Sequence, residues 1–381
     1  MIYLDYNATT PVAEEVAEAI HPYLEANMQT GNFGNPSSSH EFGEKTARAV
    51  EEARLKVADL INASVREIIF TSGGSESNNM VIKGVAEQHR EKGGHIITSE
   101  IEHPAVRKPC GYLEEKGFDV TYLTVDETGM VAAEDVKKAI REDTILITVM
   151  HANNEIGTIQ PIKDIGRIAA EHDILFHTDA AQSVGKIPVD VQELGVDFLT
   201  IAGHKLYAPK GVGALYCRDH ESLIPLIHGA GHEFGLRAGT ENVILQAGLG
   251  EAASLSQVLQ QNDEGEKLKE LTDYFHDRLK DISGDSLRLN GHREKRLPNT
   301  LNVSFVGYEG DKLLSQAEEI AASTGAACHE DSVELSPVLS ALGVSEERGK
   351  GAVRFSLGRY TDREQLDRAA EALESALKRS N

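Results

Sequence analysis

Seven short apolar runs limit what this chain can fold into more than any other feature of it. They are Glu67-Ile-Ile-Phe70, His95-Ile-Ile-Thr98, Val120 to Val125, Thr144 to Met150, Ile174 to His177, Phe198 to Ile201 and Gly211 to Cys217. All are rich in β-branched residues, and most are separated by a stretch of helical periodicity. Continuous apolar strands of this kind suit a mainly parallel sheet covered by helices on both faces. The expected fold class is α/β, with a seven-stranded sheet. Pro11 stands where a first helical turn begins, so a helix is expected over Val12 to Met28, and His40 to Leu60 reads as a second. After Cys217 the pattern changes. Asn242 to about Lys280 is largely helical and leads to a smaller α+β unit containing Asn302 to Phe305 and Val353 to Ser356. Thr361 and Glu364 read as a capping box opening the last helix.

A chain of 381 residues is too long for one small core. The expected division is a large domain over 15–260 and a small one made of 1–14 plus 261–381. No apolar run approaches the roughly 18 residues of a membrane span, and Met1-Ile-Tyr-Leu-Asp5 lacks the basic start of a signal peptide. Three widely spaced cysteines, Cys110, Cys217 and Cys328, form no CxxC pair and no even-numbered framework. A cytoplasmic location without disulfides or membrane contact is the expectation. The net charge of −23 argues against stable nucleic-acid binding and suits basic protein partners, though solubility alone accounts for it equally well.

The chemistry gathers where strands end. Thr71-Ser-Gly-Gly-Ser-Glu-Ser77 opens a helix, and its small residues let backbone N–H groups close around an anion there. It matches neither the Walker nor the Rossmann spacing, and taken alone it reads more readily as a plain turn. His103 follows the next strand and is either a satisfied surface residue or a ring that stacks on a flat ligand and moves protons. Asp179 is costly to bury without a partner such as a protonated pyridine nitrogen; Asp before Ala-Ala-Gln is also good helix-capping chemistry. Lys205, in Ala202-Gly-His-Lys205-Leu-Tyr-Ala-Pro-Lys210-Gly211, emerges from the end of an apolar strand. Desolvation there frees the amine for Schiff-base chemistry; the competing reading is an exposed loop lysine beside Lys210. Four strand ends thus offer an anion cup, a stacking ring, an acid and an amine, which are the parts of a pyridoxal phosphate (PLP) site.

The ordered set resembles the cysteine desulfurases of the NifS/IscS type, class-V aminotransferases of PLP fold type I. The likeness runs from Tyr3-Leu-Asp-Tyr-Asn-Ala-Thr-Thr-Pro11 through Gly34-Asn-Pro36, Phe70-Thr-Ser-Gly73, Glu102-His103, His151-Ala-Asn-Asn-Glu-Ile-Gly157, Asp179, Gly203-His-Lys205 and Arg237-Ala-Gly-Thr240 to Arg354-Phe-Ser-Leu-Gly-Arg359. The resemblance implies Lys205 as the Schiff-base lysine, Asp179 at the pyridine nitrogen, Gln182 at the ring oxygen O3′, and His103 stacked on the ring and transferring protons. It implies Gly74, Ser75 and His204 at the phosphate, with Thr240 reaching the phosphate of the neighbouring subunit in a homodimer. Asn154 and Arg354 would fix the substrate, the guanidinium forking onto its carboxylate. A surface ion pair is the plainer reading of Arg354, weakened by its place on an apolar strand between Val353 and Phe355. The family usually carries a hydroxyl where Ala202 stands, so one phosphate contact is missing or comes from Thr200.

By the same resemblance Cys328 accepts sulfur from L-cysteine, leaving L-alanine and an enzyme persulfide that passes to an acceptor such as an iron–sulfur scaffold or a tRNA-thiolation enzyme. No resident metal is expected, although Cys328 is then also a candidate transient ligand of a cluster shared with a scaffold. Small residues before Cys328, then His329, Glu330 and Asp331, describe an exposed loop rather than a core. The two acids raise the thiol pKa, and a protonated His329 lowers it. Cys110 and Cys217 fit buried structural cysteines better. A selenocysteine lyase or a PLP-dependent C–S lyase on the same scaffold is the alternative, and a catalytically weak binding paralogue a third.

Overall fold

The structure, a computed structural model, describes residues 1–25, 28–324, 326–329 and 332–380, with residues 221, 326–329 and 332–334 described by their backbone. After a two-residue strand β1 (Ile2–Tyr3), the expected runs become β2 (Ile68–Thr71), β3 (His95–Ser99), β4 (Asp119–Leu123), β5 (Thr144–Thr148), β6 (Leu175–Asp179), β7 (Phe198–Ala202) and β8 (Gly213–Cys217). They form one sheet in the order β2-β8-β7-β6-β5-β3-β4. β8 is antiparallel to β2 and β7, and the other pairings are parallel. Both faces are covered, as the unbroken apolar runs require. Ile97, Ile147 and Leu199 enter one core cluster with the helices over 41–60, 162–171 and 243–261. Their neighbours Ile96, Leu146 and Phe198 point the other way, into a cluster with the helices over 74–88 and 104–114.

The C-terminal third contains β9 (Leu287–Asn290), β10 (Thr300–Phe305), β11 (Ile320–Ala321), β12 (Ser323–Thr324), β13 (Ala326–His329), β14 (Ser332–Leu335) and β15 (Ala352–Ser356). A four-stranded antiparallel sheet, β12-β15-β10-β9, packs on the helices over 264–283 and 363–380 through Phe275, Leu279, Val303, Phe355 and Leu373. β1 pairs in parallel with β11, which carries Ile2 and Leu4 into this second core. No helix among the described residues is long and apolar enough to cross a membrane.

Three local expectations differ. The first helix covers Glu14–Ile20 and gives way to a 3-10 turn over His21–Tyr23, rather than running from Val12 to Met28. Pro22 lacks the N–H that would continue the ladder. At the last helix the reciprocal cap is made by Asp362 and Gln365 instead of Thr361 and Glu364: Gln365 N–H donates to Asp362 Oδ1 at 2.8 Å and Asp362 N–H to Gln365 Oε1 at 3.3 Å. Thr361 is buried, and its hydroxyl accepts from Gly358 N–H. The expected loop around Cys328 is the hairpin β13–β14, with Cys328 opposite Val333. The side chains of Cys328 and His329, and all of Glu330 and Asp331, lie outside the described residues.

Candidate active site

The carboxyl ends of β2, β3, β5, β6 and β7 open on one cavity of about 400 Å3, where ligands bind in parallel sheets. Gly74, Ser75, His103, Asn154, Asp179, Gln182, His204, Lys205 and Arg354 all line it. Nine of the eleven residues singled out for the site therefore meet in one place. Thr240 does not: it is exposed on another segment of the chain. The eleventh, Cys328, is placed by its backbone alone. β12, which leads into its hairpin, pairs Ser323 with Arg354, so the hairpin is rooted at the cavity wall.

Lys205 ends the short turn Gly203–Lys205 that follows β7. Its Nζ donates to the main-chain carbonyls of Asn7 and Ala8, the latter at 2.8 Å. Loss of solvent, reinforced by the Arg354 charge, lowers its pKa from 10.5 to about 8. That raises the free-amine fraction at pH 7 roughly 300-fold. Asp179, at the end of β6, is 7% exposed. Its Oδ1 accepts from Ala181 N–H at 3.0 Å and its Oδ2 from Asn78 Nδ2 at 2.6 Å. No α-helix starts here; the chain continues through turns. The capping alternative is thus reduced to a local turn bond, leaving a buried carboxylate without an ion-pair partner among the described residues. Such a group calls for a cationic ligand. Asn78 Oδ1, also buried, has no hydrogen-bond partner among the described residues either.

His103 precedes the helix over 104–114 and caps it, its Nδ1 accepting from Ala105 N–H at 3.1 Å. That bond places the proton of the neutral ring on Nε2. The ring edge is exposed, but loss of solvent in the cleft lowers its pKa, with Asp179 opposing and the Lys205 charge adding to the effect. His204 is pushed to about 4 by desolvation and by the Lys205, Lys210 and Lys186 charges, so it faces the anion cup as a neutral ring. The cup is the N-terminus of the helix over 74–88, whose first N–H groups have no partners within the helix. Thr200 does not replace the hydroxyl absent at Ala202, because its Oγ1 is bonded to His177 Nε2 inside the sheet.

Arg354 is buried rather than a surface ion pair. Its Nη2 donates to Asp5 Oδ1 at 2.5 Å and to Ser323 Oγ at 2.9 Å, and its Nη1 to Asn154 O at 3.2 Å. Its buried Nε has no partner among the described residues. Cys110 and Cys217 are buried, and burial pushes both thiols up to about 12, which removes them as nucleophiles.

Two residues of the site, Asn7 and Glu102, stand in motifs named above that show nothing of their roles. Asn7 joins both parts of the molecule: its N–H donates to Ser356 Oγ and its Nδ2 to Asn154 O and Thr300 Oγ1, while its carbonyl receives Lys205 and Gln182 Nε2. Glu102, beside His103, is buried, with Oε1 accepting from Ser99 Oγ and Met150 N–H, both at 2.8 Å. Burial raises its pKa from 4.5 to about 8. The folded state therefore holds a proton that the unfolded chain has lost, and Glu102 makes stability fall as pH rises from about 4.5 to 8. Glu102→Gln should flatten that slope, by up to about 1.4 kcal/mol per pH unit, when unfolding by denaturant is followed across pH 5–8. A slope identical to that of the parent protein would show that Glu102 is ionised in the fold.

Fold and site together define an enzyme of the class-V aminotransferase kind: the family model "Aminotransferase class-V" matches residues 2–369, and the chain belongs to that family. Within it the chain is similar to cysteine desulfurases. It is 53% identical to cysteine desulfurase IscS of Dictyoglomus turgidum over 99% of this chain and 95% of that one. It is 49% identical to the IscS of Methanosarcina thermophila over 98% and 91%. Among solved structures, a NifS-like protein superposes with a TM-score of 0.91 at 37% identity, covering 99% of both chains. A structure described as SspA in complex with cysteine gives a TM-score of 0.80 at 43% identity over 95% of this chain and all of that one. The activity of the chain is that of a cysteine desulfurase.

Proposed function

We propose that this protein binds PLP in the 400 Å3 cavity and uses it to move sulfur from L-cysteine to Cys328. The observation that carries this reading is the pairing, in one cavity, of a buried carboxylate lacking a cation, Asp179, with a lysine of depressed pKa, Lys205. Those residues suit the cofactor. Asp179 would face its pyridine nitrogen, Lys205 its aldehyde, Gln182 its O3′, and His103 the face of its ring. Gly74, Ser75 and His204 would hold the phosphate, with Thr240 of a second subunit in a homodimer. Bound there, PLP supplies an electron sink that makes the bonds around the cysteine Cα labile.

The chain's own residues do the rest. Arg354 and Asn154, which line the cavity, orient the substrate, the guanidinium drawing in its α-carboxylate. His103 moves a proton through Nε2, the nitrogen its capping bond leaves free. Cys328 as thiolate attacks the substrate sulfur, forming S–S as C–S breaks; alanine leaves and the persulfide stays on the enzyme. The two-domain division at residue 15 and residue 260 puts the sulfur-carrying hairpin on the smaller unit. With a net charge of −23, the acceptor is a protein presenting a basic face, such as an iron–sulfur scaffold or a tRNA-thiolation enzyme, and the reactive thiol suits the reducing cytoplasm.

Steady-state assays counting alanine formed from L-cysteine test this reading. Arg354→Lys should raise KM for cysteine roughly 10- to 100-fold with a smaller change in kcat, because a point charge cannot reproduce the fork on a carboxylate. An unchanged KM would remove Arg354 from substrate binding, and absence of alanine from the parent protein would refute the reading as a whole.

A further inference from the structure

Lys186 lies in the turn after β6 and belongs to no motif named above. Although its stem keeps some exposure, its Nζ is enclosed, donating to Gln182 Oε1 at 2.7 Å and Asn7 Oδ1 at 2.9 Å. No carboxylate pairs with it among the described residues. The charged groups that face it are Lys205 and Arg354, both repulsive, and Glu264 lines the same cavity of about 30 Å3 beside it. An amine placed this way, bonded to two side-chain amides and to no counter-ion, contributes little to an ion-pair network. Its effect falls on the amides. The two ends of a glutamine amide are nearly equal in shape, and what decides which is oxygen is the hydrogen-bond partner. Burial beside the Lys205 and Arg354 charges lowers the Lys186 pKa well below its usual 10.5; its Nζ donates to the Gln182 oxygen, and the Asn7 carbonyl, which can only accept, takes the opposite end of the amide. The NH2 end must then lie on the other side, where one hydrogen reaches Asn7 O at 3.0 Å and the second is left for the cavity that Gln182 lines.

We infer that Lys186 is a positioning residue: it fixes Gln182 as a hydrogen-bond donor to the cavity and holds Asn7, whose carbonyl receives Lys205. The inference rests on the PLP reading above. It reaches the reaction only through Gln182 and Asn7, and Lys186 itself touches neither cofactor nor substrate.

The test uses the protein loaded with PLP and reads the visible absorbance of the bound cofactor against pH, together with its dissociation constant. Lys186→Met keeps the length of the stem and removes the amine. It should move the midpoint of the spectral transition upward by about one pH unit, since Gln182 then no longer holds its donor on the ring oxygen. PLP binding should weaken roughly tenfold, and Lys186→Arg, which restores donors, should recover part of both effects. Gln182→Glu, made in the parent background, keeps an acceptor for Lys186 and deletes the donor, so its spectrum should also shift. An unshifted spectrum in folded Lys186→Met overturns the inference. So does an unshifted spectrum in Gln182→Glu, which is decisive even where Lys186→Met does not fold. Failure of the parent protein to bind PLP would instead defeat the functional reading.

Discussion

Replacing Cys328 with serine should leave L-cysteine binding and the accompanying spectral change intact while cutting sulfur release on the order of a thousandfold. Binding depends on Arg354, Asn154 and Lys205, which stand in or at the cavity whatever residue 328 is. Sulfur removal depends on a thiolate, and a neutral serine hydroxyl is a poor nucleophile toward sulfur at neutral pH. Neither remaining cysteine can substitute, because each is buried in the core with its thiol raised to about 12. The measurement is alanine and sulfide production by the variant beside a substrate-binding titration. Sulfide release near that of the parent would make the enzyme a C–S lyase that does not use Cys328.

Lys205→Ala should bind PLP without attaching it and should turn over cysteine at least about a thousandfold more slowly. The anion cup at Gly74, Ser75 and His204 and the carboxylate of Asp179 remain, so affinity persists. What disappears is the amine whose lowered pKa makes it a nucleophile near neutrality. Dialysis against buffer should therefore strip the cofactor from the variant and not from the parent. Retained turnover would mean that another amine serves, and Lys186 and Lys210 are the neighbours to examine.

The large sheet was legible because its strands are apolar on both faces and each carries its own punctuation, and the same strand ends displayed Asp179, His103 and Lys205. Cys110 and Cys217 read correctly as core residues for the same local reason. What the sequence concealed is non-local. Asn7 is bonded to residues near positions 154, 182, 205, 300 and 356, and nothing within a few residues of it announces those partners. Lys186 reads as an ordinary turn lysine until the fold encloses its amine. For Arg354 the flanking Val353 and Phe355 of an apolar strand already weaken the surface ion-pair reading, and the pairing of β15 with β10 and β12 buries it. The cap of the last helix was misplaced by one residue because Thr361 and Asp362 are both good capping residues; the fold uses Thr361 to hold Gly358 instead.

The most direct test of the central claim is to locate the cofactor. The protein is incubated with PLP, reduced with borohydride, digested, and the modified lysine identified by mass spectrometry. The account predicts the label on Lys205, with Lys186 and Lys210 unmodified. Label on either of those two, or on no lysine, would contradict it.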